Sequence, residues 1–100
     1  MKYHKLVRDK IPEYITKKGG HPVFHIADEA AYWQKLKEKL LEEVNEFVAD
    51  EETEELADIE EVLETIREYK KIDRVEIDKI KAKKVEERGG FKDRIILDES

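Results

Sequence analysis

The sequence predicts a mainly α-helical fold, and three features of the 100-residue chain support this prediction. Two long segments carry apolar residues at spacings of three and four, which indicates two amphipathic helices. Only the short polar stretch "DEET" separates them, and this favours an antiparallel helical hairpin. A third long helix is predicted further along the chain. Short extended segments are predicted to flank these helices.

A short helix is predicted to come first, from Ile11 to Lys18. Pro12 suits the first turn of a helix, and the pair Gly19-Gly20 suits a left-handed C-terminal stop. The stretch "PVFHIA" then predicts a strand, because it is short, β-branched and aromatic. The last stretch, "RIILDES", is a second strand candidate.

Asp28 is predicted to cap the first long helix, which runs from Glu29 to Ala49. The second long helix is predicted from Glu54 to Tyr69. The third follows a capping box formed by Asp73 and Glu76, and it ends at a Gly-Gly pair. The core-facing sides of the first two helices carry ten apolar residues: Trp33, Leu36, Leu40, Val44, Phe47, Leu56, Ile59, Val62, Leu63 and Ile66.

Composition limits the class of protein. The chain has no repeat or linker, so residues 1–100 are predicted to form a single domain, and a domain of this size often gains stability as a homo-oligomer. A net charge of −6 argues against nucleic acid or an anionic membrane as the main partner. The absence of cysteine excludes disulfides and thiolate sites. With no signal-peptide pattern at the start, a cytoplasmic location is expected.

Four carboxylates interrupt or border the apolar stripes of the predicted hairpin. Glu43 lies between two apolar positions of the first long helix, and Glu46 lies at the edge of that stripe. Glu55 lies inside the stripe of the second helix, and Asp58 lies at its edge. In an antiparallel hairpin these residues would meet across the seam.

Four acids in one partly buried site require raised pKa values, cationic partners or a divalent metal. Oxygen ligands favour Mg²⁺, with Mn²⁺ as the alternative. The competing interpretation is that the acids pair with lysines of a neighbouring helix or subunit. A di-iron centre is disfavoured, because it requires Glu-x-x-His ligands and all three histidines precede the long helices.

The acid pattern, "EVNE" followed by "ELAD", resembles the signature of the all-α nucleotide pyrophosphohydrolases of the MazG type. This group includes phosphoribosyl-ATP pyrophosphohydrolases and dimeric dUTP pyrophosphatases. The stretches "YHKLVRDKIPE" and "KKVEERGGFKDRIIL" are similar to a compact, single-domain branch of house-cleaning enzymes for non-standard nucleotides, so the resemblance covers nearly the whole chain. It implies hydrolysis of a nucleoside triphosphate to a monophosphate and pyrophosphate. The implied Mg²⁺ ligands are Glu43, Glu46, Glu55 and Asp58, with Glu46 or Asp58 also orienting the attacking water.

Basic residues supply candidate phosphate contacts. Lys81, Lys84 and Arg88 share one face of the third long helix, where they could bind phosphates or could simply be solvated. Arg8 and Lys10 form a second basic cluster, to which the family resemblance assigns substrate binding. The alternative from another functional class is a non-catalytic helical regulatory or dimerisation module, in which the acids serve as salt-bridge partners.

Overall fold

The computed structural model describes residues 4–100, and within this range it is helical without any strand. The mainly α-helical prediction is therefore confirmed. The described residues group into two compact units, of which the first ends at Ile66 and the second begins at Arg67. The helices are α1 (Ile11–Lys17), α2 (Glu29–Asp50), α3 (Thr53–Tyr69) and α4 (Arg74–Arg88).

Local capping determines where the helices begin and end. The Asp28 side chain accepts a hydrogen bond from the backbone N–H of Ala31 at 2.8 Å, which confirms the predicted N-cap of α2. Asp73 caps α4 but accepts from the N–H of Val75, so it does not make the predicted capping-box bond to the third helical position. Gly89, with φ of +82°, ends α4 as expected.

Two residues, Glu51 and Glu52, connect α2 to α3, and so short a connection makes the pair an antiparallel hairpin. Glu51 adopts left-handed backbone angles, with φ of 55°, and its N–H donates to the carbonyl of Phe47. Such angles are costly for a non-glycine residue, and a carboxylate at a helix C-terminus opposes the helix dipole. Asp50 and Glu51 therefore destabilise the end of α2, and residues of a functional site often have such a local cost.

The core lies on the facing sides of the hairpin. Leu36 of α2 is 1% exposed and Val62 of α3 is 8% exposed, as predicted. The core prediction is wrong for Val44, Leu56 and Leu63, which are all exposed. Two helices in contact cover only the centre of each apolar stripe, and the flanking positions need a further element to bury them.

Both predicted strands are absent from the described residues. Val23 is fully exposed within "PVFHIA", and Ile95 and Ile96 are largely exposed within "RIILDES". A strand forms only when a neighbouring strand pairs with its backbone, and neither segment has such a neighbour in the part of the chain described. The apolar side chains of these segments consequently remain accessible.

None of the helices described in residues 4–100 carries an apolar stretch long enough to span a membrane.

Candidate metal centre

Three carboxylates of α2 form a compact group. One oxygen each from Glu42, Glu43 and Glu46 lies within 4.8 Å of the others. Glu46 follows Glu43 by three positions and Glu42 by four, so it lies one turn further along α2 and can approach both side chains. Two of the predicted ligands, Glu43 and Glu46, belong to this group. Sequence reasoning missed Glu42, although its position one turn before Glu46 was a usable signal.

Glu43 is the buried member of the acid group, with 5% of its surface exposed. Its Oε1 forms an ion pair with Lys39 Nζ at 3.0 Å, one turn earlier on α2. Its Oε2 is buried and has no hydrogen-bond donor among the described residues. A buried acceptor without a donor is costly, so this oxygen is available to a cation. The predicted burial of Glu43 on the apolar stripe is confirmed.

The other two members of the group experience opposite electrostatic environments. Burial by itself raises the pKa of Glu42, but a hydrogen bond from Lys5 and the charge of Lys39 outweigh it and leave that pKa below its ordinary value. The Lys5 Nζ lies 3.0 Å from Glu42 Oε1, and this contact raises the pKa of Lys5. For Glu46, the negative charge of Glu43 raises the pKa, and partial desolvation raises it further.

The two predicted ligands on α3 have different partners. Glu55 is half-buried, and its Oε2 has no donor among the described residues. Burial raises the pKa of Glu55, and a hydrogen bond with the Asp50 side chain raises it further. Asp58 accepts a hydrogen bond from Arg8 Nη2 at 2.8 Å. Neither residue belongs to the compact group on α2, so the convergence of all four acids stays a prediction.

Asp50 is a second acid that the sequence interpretation missed, because it was assigned to the polar break. It follows Glu42 and Glu46 at intervals of one helical turn. These three residues line one shallow surface depression along α2, together with Glu38, Leu41, Asn45 and Ala49. Through its effect on Glu55, Asp50 connects this acidic face of α2 to the first turn of α3.

The basic residues predicted to bind substrate occupy two places. Arg8 and Lys10 precede α1 or begin it, and Lys10 is exposed. Within the second unit, the predicted phosphate contacts are all exposed on the C-terminal half of α4, and they have no ion-pair or hydrogen-bond partner among the described residues. These contacts are Lys81, Lys84 and Arg88. The neighbouring Lys83 differs, because it pairs with Glu87 at 3.9 Å.

Comparisons with known proteins found a sequence match over part of the chain. A stretch of 45 residues is 47% identical to an uncharacterized protein of Mycolicibacterium smegmatis. The stretch spans 45% of this chain and 46% of that protein, so the chain matches less than half of its length. No family model matches the chain, and no solved structure matches it.

The stability of the chain in chelator is expected to fall as the pH rises from about 4.5 towards neutrality. Glu46 and Glu55 have folded-state pKa values above their ordinary value of 4.5, so the folded chain holds protons that the unfolded chain has released. The loss begins above pH 4.5 and is complete above the raised pKa values. The lowered pKa of Glu42 changes the stability only below pH 4.5, and the raised pKa of Lys5 changes it only above pH 10.5.

Thermal melts across this pH range measure the trend, with the double variant Glu46→Gln/Glu55→Gln as the comparison. The double variant should show a flatter profile than the wild type. Equal slopes for the two proteins would contradict the assignment of the trend to these carboxylates.

Proposed function

We propose that this chain is a Mg²⁺-dependent nucleoside triphosphate pyrophosphohydrolase of the MazG type. The observation that carries the proposal is the buried carboxylate of Glu43, which has one oxygen without a donor and lies beside Glu42 and Glu46. The motif resemblance supplies the reaction: cleavage between the α- and β-phosphates of a non-standard nucleotide. The products are a nucleoside monophosphate and pyrophosphate.

The donor set fits a hard divalent cation. Carboxylate oxygens are the preferred ligands of Mg²⁺, and Mn²⁺ accepts the same set. Buried oxygens without donors occur on both helices of the hairpin, at Glu43 and Glu55. In the proposal, these two residues hold the metal together with Glu46 and Asp58. When bound, Mg²⁺ supplies charge neutralisation of the phosphates and a more acidic water molecule.

The chain's own residues perform the remaining steps. An exposed acid with a raised pKa, such as Glu46, is a stronger base than an ordinary glutamate and is suited to accept a proton from the attacking water. Asp58 is the second candidate for orienting that water. The cations proposed to bind phosphate oxygens are Arg8, Lys10, Lys81, Lys84 and Arg88. Arg8 must leave Asp58 to do so, whereas the other four have no ion-pair partner among the described residues.

A homo-oligomer, dimeric or larger, and a cytoplasmic location belong to the same proposal. The apolar residues Val44, Leu56 and Leu63 remain exposed beside the core of the hairpin. A second copy could bury such positions, since small domains often gain stability through association.

Product analysis tests the reaction. If water attacks the α-phosphorus, a panel of nucleoside triphosphates with Mg²⁺ should yield monophosphate and pyrophosphate, separated by chromatography. Attack at the γ-phosphorus would instead give diphosphate and orthophosphate. Orthophosphate as the primary product, with contaminating pyrophosphatase excluded, would refute the proposed reaction.

Two ion pairs favour a second candidate, a non-catalytic helical regulatory or dimerisation module. Lys39 pairs with Glu43, and Arg8 pairs with Asp58, so two of the four acids have cationic partners within the chain. In this alternative the acids are structural. Calorimetric titration with Mg²⁺ or Mn²⁺ separates the candidates, because a structural module should bind neither ion stoichiometrically.

A further inference from the structure

The segment before α1 contacts both acidic helices through two cations. We call residues 4–10 the basic segment. Its Lys5 reaches Glu42 on α2 at 3.0 Å, and its Arg8 reaches Asp58 on α3 at 2.8 Å. The basic segment thus carries one ion pair to α2 and one to α3. The acids it contacts belong to, or lie beside, the carboxylates assigned to the metal.

We propose that Lys5 and Arg8 compete with the divalent cation for these carboxylates, so that the basic segment sets the affinity of the site for its metal. This inference rests on the metal centre of the proposed function and adds a means of regulating it. It assigns Lys5 and Arg8 a positioning role towards the carboxylates, separate from any contact that Arg8 makes with substrate.

The charge of Arg8 is expected to lower the affinity of Asp58 for a divalent cation. The Asp58 oxygen that accepts the Arg8 hydrogen bond has part of its charge neutralised, and a guanidinium beside a carboxylate repels a second cation. The Arg8 and Asp58 side chains are 59% and 39% exposed, and exposed ion pairs of this kind are weak. A divalent cation can therefore displace Arg8, but only against the cost of breaking the pair.

Lys39 also neutralises part of the charge of the acid group, because its Nζ lies 3.0 Å from Glu43 Oε1 and 3.6 Å from Glu42 Oε2, but it belongs to α2 and not to the basic segment. It lies one turn before Glu43 on the same helix, and only 18% of its side chain is exposed. Lys39 pairs with Oε1 of Glu43, and Oε2 has no donor among the described residues. Lys39 can therefore keep its ion pair with Oε1 while Oε2 binds a metal. Arg8, by contrast, can exchange Asp58 for a phosphate group, because guanidinium groups bind phosphate oxygens in a bidentate manner.

Calorimetric titration of the full chain with Mn²⁺ tests the competition. Arg8→Gln and Lys5→Gln should each bind Mn²⁺ more tightly than the wild type, by about threefold to tenfold, because each removes one charge a few ångströms from the ion. Lys17→Gln is the matched control. It removes the same charge from the Lys17–Glu13 pair on α1, neither member of which is a candidate ligand or pairs with one, and it should change the affinity by less than about twofold.

The outcomes of the titration separate this inference from the proposed function. If the wild type binds Mn²⁺ and Arg8→Gln binds it equally or more weakly, the competition is refuted and the metal centre stands. If neither the wild type nor any variant binds Mn²⁺, the metal requirement of the proposed function fails, and the competition fails with it.

Limited proteolysis gives a second readout that needs no substituted residue. Trypsin cleaves after Arg8 only when that side chain enters the protease's specificity pocket, so pairing with Asp58 slows cleavage. Adding Mg²⁺ should accelerate cleavage after Arg8 by about twofold to fivefold relative to cleavage after Lys17, as expected for loss of a weak pair. An unchanged ratio of the two cleavage rates would refute displacement of Arg8.

Discussion

Glu55→Gln is expected to melt at a higher temperature than the wild-type chain in chelator at neutral pH, and to lose nearly all hydrolysis. Burial of Oε2 and the neighbouring Asp50 raise the pKa of Glu55, so its ionised form is disfavoured in the folded chain. Glutamine has the same shape without the charge. Its amide removes the repulsion but is a much poorer metal ligand than a carboxylate.

Mg²⁺ should stabilise this variant much less than it stabilises the wild type. A metal that binds only the folded state raises stability in proportion to its affinity, and removing a ligand lowers that affinity. Thermal melts of both proteins, in chelator and in Mg²⁺ on the order of millimolar, measure the two effects together.

Glu54→Gln is the matched control for Glu55→Gln. Glu54 is exposed and also lies in the first turn of α3, so its substitution removes the same charge from the same part of the helix dipole. It should melt slightly below the wild type and keep full activity. If Glu55 were a salt-bridge partner, its replacement would strand a cation and lower the melting temperature in both conditions. No described residue forms an ion pair with Glu55, so we expect the substitution to raise the melting temperature in chelator.

Helix boundaries were predictable because caps are local. The predicted start and end of α2 and α3 agree with the structure to within one residue. Asp28 bonds to a backbone N–H only three residues away, so the sequence contains both partners of the interaction. Strand formation depends on a distant partner, and for this reason "PVFHIA" and "RIILDES" were wrongly predicted from composition alone.

The candidate site was predictable only where helical periodicity governs burial. Glu43 was located correctly because it replaces an apolar residue on a regular stripe. Glu42 and Asp50 were not predicted, because the sequence pattern does not distinguish a functional acid on the outer side of a helix from a solvated one. The Arg8–Asp58 pair joins residues fifty positions apart, and no local pattern encodes such a contact.

Replacing Lys84 or Arg88 by alanine is expected to reduce kcat/KM by roughly tenfold to a hundredfold, and by a similar factor for every accepted base. A hydrogen bond to a charged group contributes about 1.5–3 kcal/mol, which corresponds to that range of rates. Both side chains are exposed on α4 without a partner among the described residues, so alanine removes no internal ion pair. The loss should therefore appear in catalysis and not in the melting temperature.

Lys83→Ala is the control, because Lys83 lies beside Lys84 in sequence but pairs with Glu87 and projects from another side of the helix. It should leave kcat/KM nearly unchanged. Steady-state kinetics on several nucleoside triphosphates then distinguish two roles for the basic face. A phosphate contact carries no information about the base, so the ratio of kcat/KM values between nucleotides must stay constant as their absolute values fall. If Lys84→Ala or Arg88→Ala instead alters this ratio while overall efficiency holds, the basic face of α4 contacts the base, and its assignment to phosphate is wrong.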